Sequence, residues 1–277
     1  MKIKKHISFS TDHDHKLTRY LTENDINFKV GEIISYLDIF TDDPQWESVS
    51  RLAEECSAVC LSETVFSKKE LDAAEWLTLR STWQNGYPMP DDDLGYLRDT
   101  YDDKRYCYEC GCGLYQREPF KIKKTPSWGK RGFMMLNWVD DEIFVSDEVK
   151  EFLQSSELSG FHFTSVRNKS GKEILPNIYQ MCVNTILDVG LLYPQECIRN
   201  VLCCPRCGKV KYHPNGIGMY RFKRSIFEGM PDVVKSNEWF GWGHGADRLI
   251  IVRNSFYRTV VENKMDRALE FQPIVLE

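Results

Sequence analysis

The residues best suited to chemistry are two cysteine hooks, Cys107-Tyr108-Glu109-Cys110-Gly111 and Cys204-Pro205-Arg206-Cys207-Gly208. Two intervening residues let both sulfurs of a hook reach one ion from a tight turn. The glycine that follows lets the backbone bend so that amide N–H groups point at the thiolates. Two hooks complete a tetrahedron, so Cys107, Cys110, Cys204 and Cys207 are predicted to hold one structural Zn2+. The 93 residues from Gly111 to Cys203 separate the hooks. The ion would therefore close a long loop, and its loss should destabilise the domain rather than abolish a reaction. A dithiol redox motif is the competing reading, but it expects the first cysteine exposed at a helix N-terminus, and neither hook is followed by a helical pattern. Cys112, Cys203 and His213 stand close enough in sequence to replace a ligand, although a four-thiolate site needs none of them. Cys56, Cys60, Cys182 and Cys197 read as buried apolar thiols.

Other chemistry is sparse. Neither a phosphate-cradling glycine loop, nor HExxH, nor GxSxG occurs in the sequence. His244 lies in the aromatic, glycine-rich segment Trp239-Phe240-Gly241-Trp242-Gly243-His244-Gly245. Such a loop can bind a ligand or carry a general base, but it reads equally as a surface turn with a packed tryptophan pair. Lys121, Lys123, Lys124, Lys130 and Arg131 surround Trp128 in the basic cluster of the chain. They can form a nucleic-acid strip, or lysines guarding an exposed strand edge. With 36 Lys+Arg against 41 Asp+Glu the formal charge is -5, which disfavours polyanionic partners and favours the edge reading.

These residues must be positioned by an α+β framework. Ile7 and Phe9 alternate on a strand, Leu17, Tyr20 and Leu21 share a helical face, and Ile26, Phe28 and Val30 alternate again before Ile33–Phe40. Asp43 is the expected N-cap and Pro44 the first residue of a helix striped by Trp46, Val49, Leu52, Ala53 and Cys56. A strand follows through Val59 and Leu61 to Val65. The resulting β-α-β-β-α-β order predicts a ferredoxin-like unit. Ser67 and Glu70 form a capping box for the next helix. The Pro-, Gly- and Asp-rich stretch 84–103 is a candidate linker or acidic contact loop. The expected domains are thus residues 1–90, a ferredoxin-like unit with its following helix, and 91–277, a zinc-ribbon-containing α+β domain. Within the latter, 141–163 and 247–271 each read as strand, helix and strand, with a third partial echo at 63–79. The first residues hold no apolar run of signal-peptide length, and nowhere do about 18 apolar residues occur together, so a cytosolic protein without a membrane span is expected. Ten cysteines in a reducing compartment then point to thiols and metal ligands rather than disulfides.

The doubled CxxCG, with DEIFVSDEVKEFLQSSELSGFHF and the closing DRLIIV and LEFQPI around it, resembles the double-CXXCG motif family of bacterial proteins over roughly Leu94 to Glu277. Some members of that family look like immunity proteins, which neutralise a toxin delivered by neighbouring cells. The resemblance implies a zinc-stabilised binding protein without catalysis, and its ligands carry over onto Cys107, Cys110, Cys204 and Cys207. The expectation is therefore a non-catalytic, cytosolic, zinc-stabilised protein that binds a protein partner, a toxin among the candidates. The alternatives are a nucleic-acid-binding zinc-ribbon protein and an enzyme using the His244 loop.

Overall fold

The computed structural model describes residues 1–12 and 15–277 as a mixed α+β protein. The chain divides into two compact units, Met1–Glu70 with Asn215–Gly218, and Leu71–Pro214 with Met219–Glu277. Residues 71–90 therefore belong with the second unit and not with the first, because the strand Trp76–Ser81 is an inner strand of that unit's four-stranded sheet.

In the first unit, the strand Lys2–Ser10 lies between Ile34–Phe40 and Val59–Val65, antiparallel to both. The period-2 pattern turns Ile7, Phe9, Leu37 and Ile39 to one face. There they pack with Leu17 and Leu21 of the helix His15–Glu23 and with Val49 and Ala53 of the helix Trp46–Glu55. The expected fourth strand at 26–30 is absent. Ile26 and Phe28 do dock on this core, but only Lys29 bridges to Tyr36, through two backbone hydrogen bonds of 2.8 and 3.0 Å. Alternation reported burial correctly, while a ladder also needs an edge to pair with, and here the chain turns back on itself after one bridge. The unit is thus β-α-β-α-β, with three strands instead of the four of the ferredoxin-like order. The second helix runs Trp46–Glu55, and in the turn that leads into it the Asp43 carboxylate accepts from the Gln45 amide (2.8 Å), the bond expected of an N-cap. The Ser67/Glu70 capping box is present, with Ser67 N to Glu70 Oε2 at 2.8 Å and Glu70 N to Ser67 Oγ at 3.3 Å.

The second unit is built on a five-stranded sheet ordered Lys121–Ile122, Phe161–Asn168, Ile174–Val183, Val139–Val145, Phe133–Leu136, and a four-stranded sheet ordered Val233–Lys235, Ile250–Arg253, Trp76–Ser81, Leu269–Pro273. One core joins them, including Leu77, Phe133, Val145, Met181, Val252 and Phe256. Each such side chain contributes about 1.5–3 kcal/mol when fully buried. Both long sequence echoes form strand, helix and strand, around the helices Asp147–Ser155 and Asn254–Glu262. Ser146 caps the first of these through the Val149 amide, and Asp147 and Glu148 suit the positive end of its dipole. The 84–103 stretch is no linker. Tyr96 and Tyr101 are buried in a core with Phe120, Trp128 and Phe144. Among the described residues no helix is long and apolar enough to cross a membrane.

Candidate metal centre

The two hooks fold as the same turn. In the first, Gly111 N donates to Cys107 O (2.7 Å) and Cys107 N to Cys112 O (3.0 Å). In the second, Gly208 N donates to Cys204 O (2.9 Å) and Cys204 N to Lys209 O (2.9 Å). Each hook interrupts an antiparallel pair. The first lies between Tyr101–Asp102 and Tyr115–Gln116, the second between Ile198–Cys203 and Val210–Pro214. Both closing glycines take the left-handed conformation, φ +81° at Gly111 and +70° at Gly208, which costs a residue with a Cβ about 1–2 kcal/mol.

Gly111 carries a second constraint. A Cβ there would run into the backbone carbonyl oxygen of His244, whereas one at Gly208 would meet nothing within 4 Å. Gly208→Ala is therefore expected to cost about 1 kcal/mol and Gly111→Ala more than about 3 kcal/mol. Denaturant midpoints of the two variants check this, and equal losses would contradict it.

The turns bring Cys107, Cys110, Cys204 and Cys207 together, with one sulfur from each within 4.8 Å of all the others. Across the hooks, Cys107 lies 3.8 Å from Cys204 and Cys110 lies 3.7 Å from Cys207. Sulfurs about 2.3 Å from a central ion lie about 3.8 Å apart along a tetrahedron edge, so these four can hold a metal ion. A disulfide would need about 2.05 Å, and all ten cysteines are free thiols. Backbone amides aim at the sulfurs as the hook geometry requires: those of Glu109 and Cys110 at Cys107, that of Cys112 at Cys110, and that of Lys209 at Cys207.

Burial raises the cost of each thiolate. At Cys107 the amides and the neighbouring thiols outweigh it and hold the thiol down to about 6. Burial and the surrounding thiols push Cys110 and Cys207 up to about 12. The cluster alone thus accommodates one negative charge readily and resists more. A divalent cation among the sulfurs removes that resistance, because a coordinating thiol is deprotonated outright. Cys207 is exposed while its three partners are buried, which leaves one side of the cluster open to an arriving ion.

The three neighbours stay outside the set. Cys112 is fully buried beside Cys110 but contributes its amide. Cys203 is exposed and its thiol approaches Gly208 O at 3.7 Å. The His213 ring packs on Trp242 with centroids 4.4 Å apart, and neither ring nitrogen has a hydrogen-bond partner among the described residues. Of the other cysteines, only Cys197 is buried as expected. Cys56 and Cys182 are half-buried and Cys60 is exposed, because Cys60 lies on the edge strand Val59–Val65.

Sequence reasoning missed Lys211. It is fully buried, and its ammonium donates to three carbonyls: Cys110 (2.7 Å), Gly243 (2.6 Å) and Gly245 (3.1 Å). Lys211 pairs in register with Trp239, which starts the glycine-rich segment, so one side chain ties that loop to the first hook. His244 adds a second tie, Nδ1 to Tyr108 O at 3.0 Å, and this bond makes Nδ1 the protonated nitrogen. The loop is therefore part of the cysteine centre. The one signal available in the sequence was a lysine spaced two residues from Lys209 on a strand leaving the hook.

The remaining candidates separate. Trp128 is buried, with Nε1 donating to Asn177 O at 2.8 Å, so it offers no stacking surface. Lys121–Ile122 is the edge strand of the five-stranded sheet, and Lys121 pairs with Asp99 at 2.8 Å. A cavity touches both ends of the glycine-rich segment, at Trp239 and Ala246, but His244 does not line it. No protein-family model matches the chain, and no curated protein matches it closely enough to count as a relative.

Proposed function

We propose that this chain is a non-catalytic protein-binding protein, with one structural Zn2+ clamping its second unit in a zinc-ribbon arrangement. Four thiolates at tetrahedral spacing suit Zn2+, which demands neither redox chemistry nor an open coordination position. A full cysteine set leaves no ligand place for a reacting water. Ten free thiols favour a reducing, cytosolic compartment.

The binding reading is carried by one surface. On the outer face of the first unit's sheet, Ile34, Tyr36, Val59 and Leu61 are 46–63% exposed, and Ile33 beside them is 76% exposed. Exposed apolar patches of this kind mark association sites. The polar residues of that face are engaged with one another, Lys4 with Glu63 at 2.6 Å and the His6 ring with the carboxylates of Asp38 and Glu63. Such a face suits the apolar surface of another protein and offers a polyanion little. Together with the resemblance to the double-CXXCG motif family, this favours an immunity protein that neutralises a toxin by stoichiometric association.

The test is affinity purification from the source cell of the wild type and of Leu61→Asp, followed by co-expression with any toxin encoded beside the gene. A single protein is expected at equal stoichiometry on the wild type, lost from Leu61→Asp while the melting temperature is unchanged, together with protection of the cell from that toxin. Recovery of nucleic acid or a small metabolite alone would overturn the reading.

A further inference from the structure

The second unit contains a cavity that none of the four clustered cysteines lines, although Trp239 and Ala246 border both it and the cysteine centre. Its volume of about 500 Å3 is within the size range of small-molecule sites. Its floor is charged. Lys235 and Glu142 are 6% and 7% exposed and lie 2.6 Å apart, Nζ to Oε1, and Gln180, 1% exposed, donates to the other Glu142 oxygen at 2.9 Å. Asp141 approaches the same ammonium only at 3.6 Å. Asp247 also lines the cavity, and among the described residues it has no cation within ion-pair distance.

Lys235 serves Glu142. Arg248 donates to the carbonyls of Ser236 and Asn237 and stacks over Trp239 at 4.3 Å. Arg117 donates to Arg98 O at 3.1 Å. The lining carries four carboxylic residues, Glu118, Asp141, Glu142 and Asp247, against three cationic ones, Arg117, Lys235 and Arg248, so the balance favours an incoming cation over an anion. Burial first, and then the neighbouring Asp141 and Asp140, push the Asp247 carboxyl well above its ordinary value, which favours the neutral acid, and an incoming cation beside it favours the carboxylate again. Tyr101, Trp138 and Trp239 also line the cavity; Arg248 already covers one face of Trp239, while Trp138, 49% exposed, keeps open ring surface of the kind that attracts organic cations. A bare metal ion does not fit. Among the described residues the four cysteines are the one group with three or more ligand atoms within 4.8 Å of each other, so the carboxylates are too dispersed to chelate.

We propose that this cavity binds an organic cation, an ammonium or guanidinium group, between Asp141 and Asp247 and against the aromatic wall. The group comes either from a free small amine or guanidine, or from a Lys or Arg side chain of a bound protein. The site is independent of the apolar face at Leu61, so either can fail alone.

The experiment is calorimetric titration of the metal-loaded full chain with butylguanidinium, butylammonium, the uncharged alcohol pentanol, and a capped Gly-Arg-Gly peptide, with tryptophan fluorescence reporting on Trp138 and Trp239. Both small cations are expected to bind with Kd of about 1 mM or tighter, and pentanol at least about tenfold more weakly. Asp247→Asn, which keeps the side-chain volume, is expected to weaken the cations at least about tenfold and to leave pentanol unchanged. Tighter binding of the peptide than of butylguanidinium assigns the group to a protein side chain, and the reverse order to a free ligand. Pentanol binding as tightly as the cations overturns the proposal, as does the absence of any cation binding at about 20 mM. The wild-type comparison decides the matter even if the variant fails to fold.

Discussion

Cys110→Ser is expected to remove the metal from the purified protein and to lower the melting temperature of the second unit by about 10 °C. Structural zinc sites contribute about 10–16 kcal/mol of binding free energy in small domains. A unit with its own large core depends on the ion for only part of its stability. Weakening the site about a thousandfold removes about 4 kcal/mol when the metal is near saturation, and each kcal/mol moves the midpoint about 2–4 °C in a unit of this size. A chelator should produce the same shift in the wild type and none in Cys110→Ser. Cys112→Ser is the informative control. Its thiol is fully buried beside the cluster, yet its amide does the work, so the variant should keep one zinc per chain and lose at most about 1–2 kcal/mol. Metal content by atomic absorption and calorimetric midpoints check both. A metal-free wild type melting at the temperature of the zinc-loaded protein would sink the proposed role of the ion, as would a Cys112→Ser protein that loses metal while Cys110→Ser retains it.

The cysteine centre was legible because its determinants are local. Two sulfurs and a glycine within five residues specify a turn whatever surrounds it, so only the meeting of the two turns had to be supplied by the fold. The same locality made the Ser67/Glu70 box and the helix Asp147–Ser155 readable. What escaped the sequence depends on pairing across distance. The segment 26–30 has a strand's alternation, but its burial comes from docking Ile26 and Phe28 on a core, and alternation alone does not name a hydrogen-bonding partner. Residues 71–90 look like the tail of the first unit until Trp76–Ser81 finds neighbours in Ile250–Arg253 and Leu269–Pro273, some 170–195 positions away. The cavity was invisible for the same reason. Glu142 and Lys235 are 93 residues apart, the first ending the acidic run Asp140-Asp141-Glu142 and the second closing an apolar run, and such charges usually just mark where a strand reaches water. Trp128 shows the converse. Its basic surroundings suggested a binding strip, while the ring itself is claimed by the core and by Asn177.

Lys211→Met is expected to cost about 3 kcal/mol or more and to weaken metal binding about tenfold. Methionine matches the lysine stem as far as Cε and buries without a charge, so the loss reports chiefly on the ammonium. Three carbonyls, of Cys110, Gly243 and Gly245, would each be left without their donor, and a buried unsatisfied acceptor costs about 1–3 kcal/mol. Part of that is recovered as the glycine-rich loop moves away and its carbonyls reach water, which is why the total falls below the sum of three. That movement carries the effect to the metal. The loop's His244 is tied to Tyr108 inside the first hook, so releasing Gly243 and Gly245 loosens the turn that orients Cys107 and Cys110. The ammonium's field also favours ionised sulfur beside it: burial leaves the Cys112 thiol raised overall, but Lys211 acts to lower it. Lys211→Arg should not rescue. A planar guanidinium presents its donors as a fork, whereas these three carbonyls converge on a single point from different segments. Limited proteolysis within residues 241–246, Trp242 fluorescence and competition for zinc with a chelator of known affinity read the loop and the metal separately. A Lys211→Met protein with wild-type midpoint, intact loop and unchanged zinc affinity would mean that the buried ammonium is a passenger of the fold and not the strut between its loop and its metal centre.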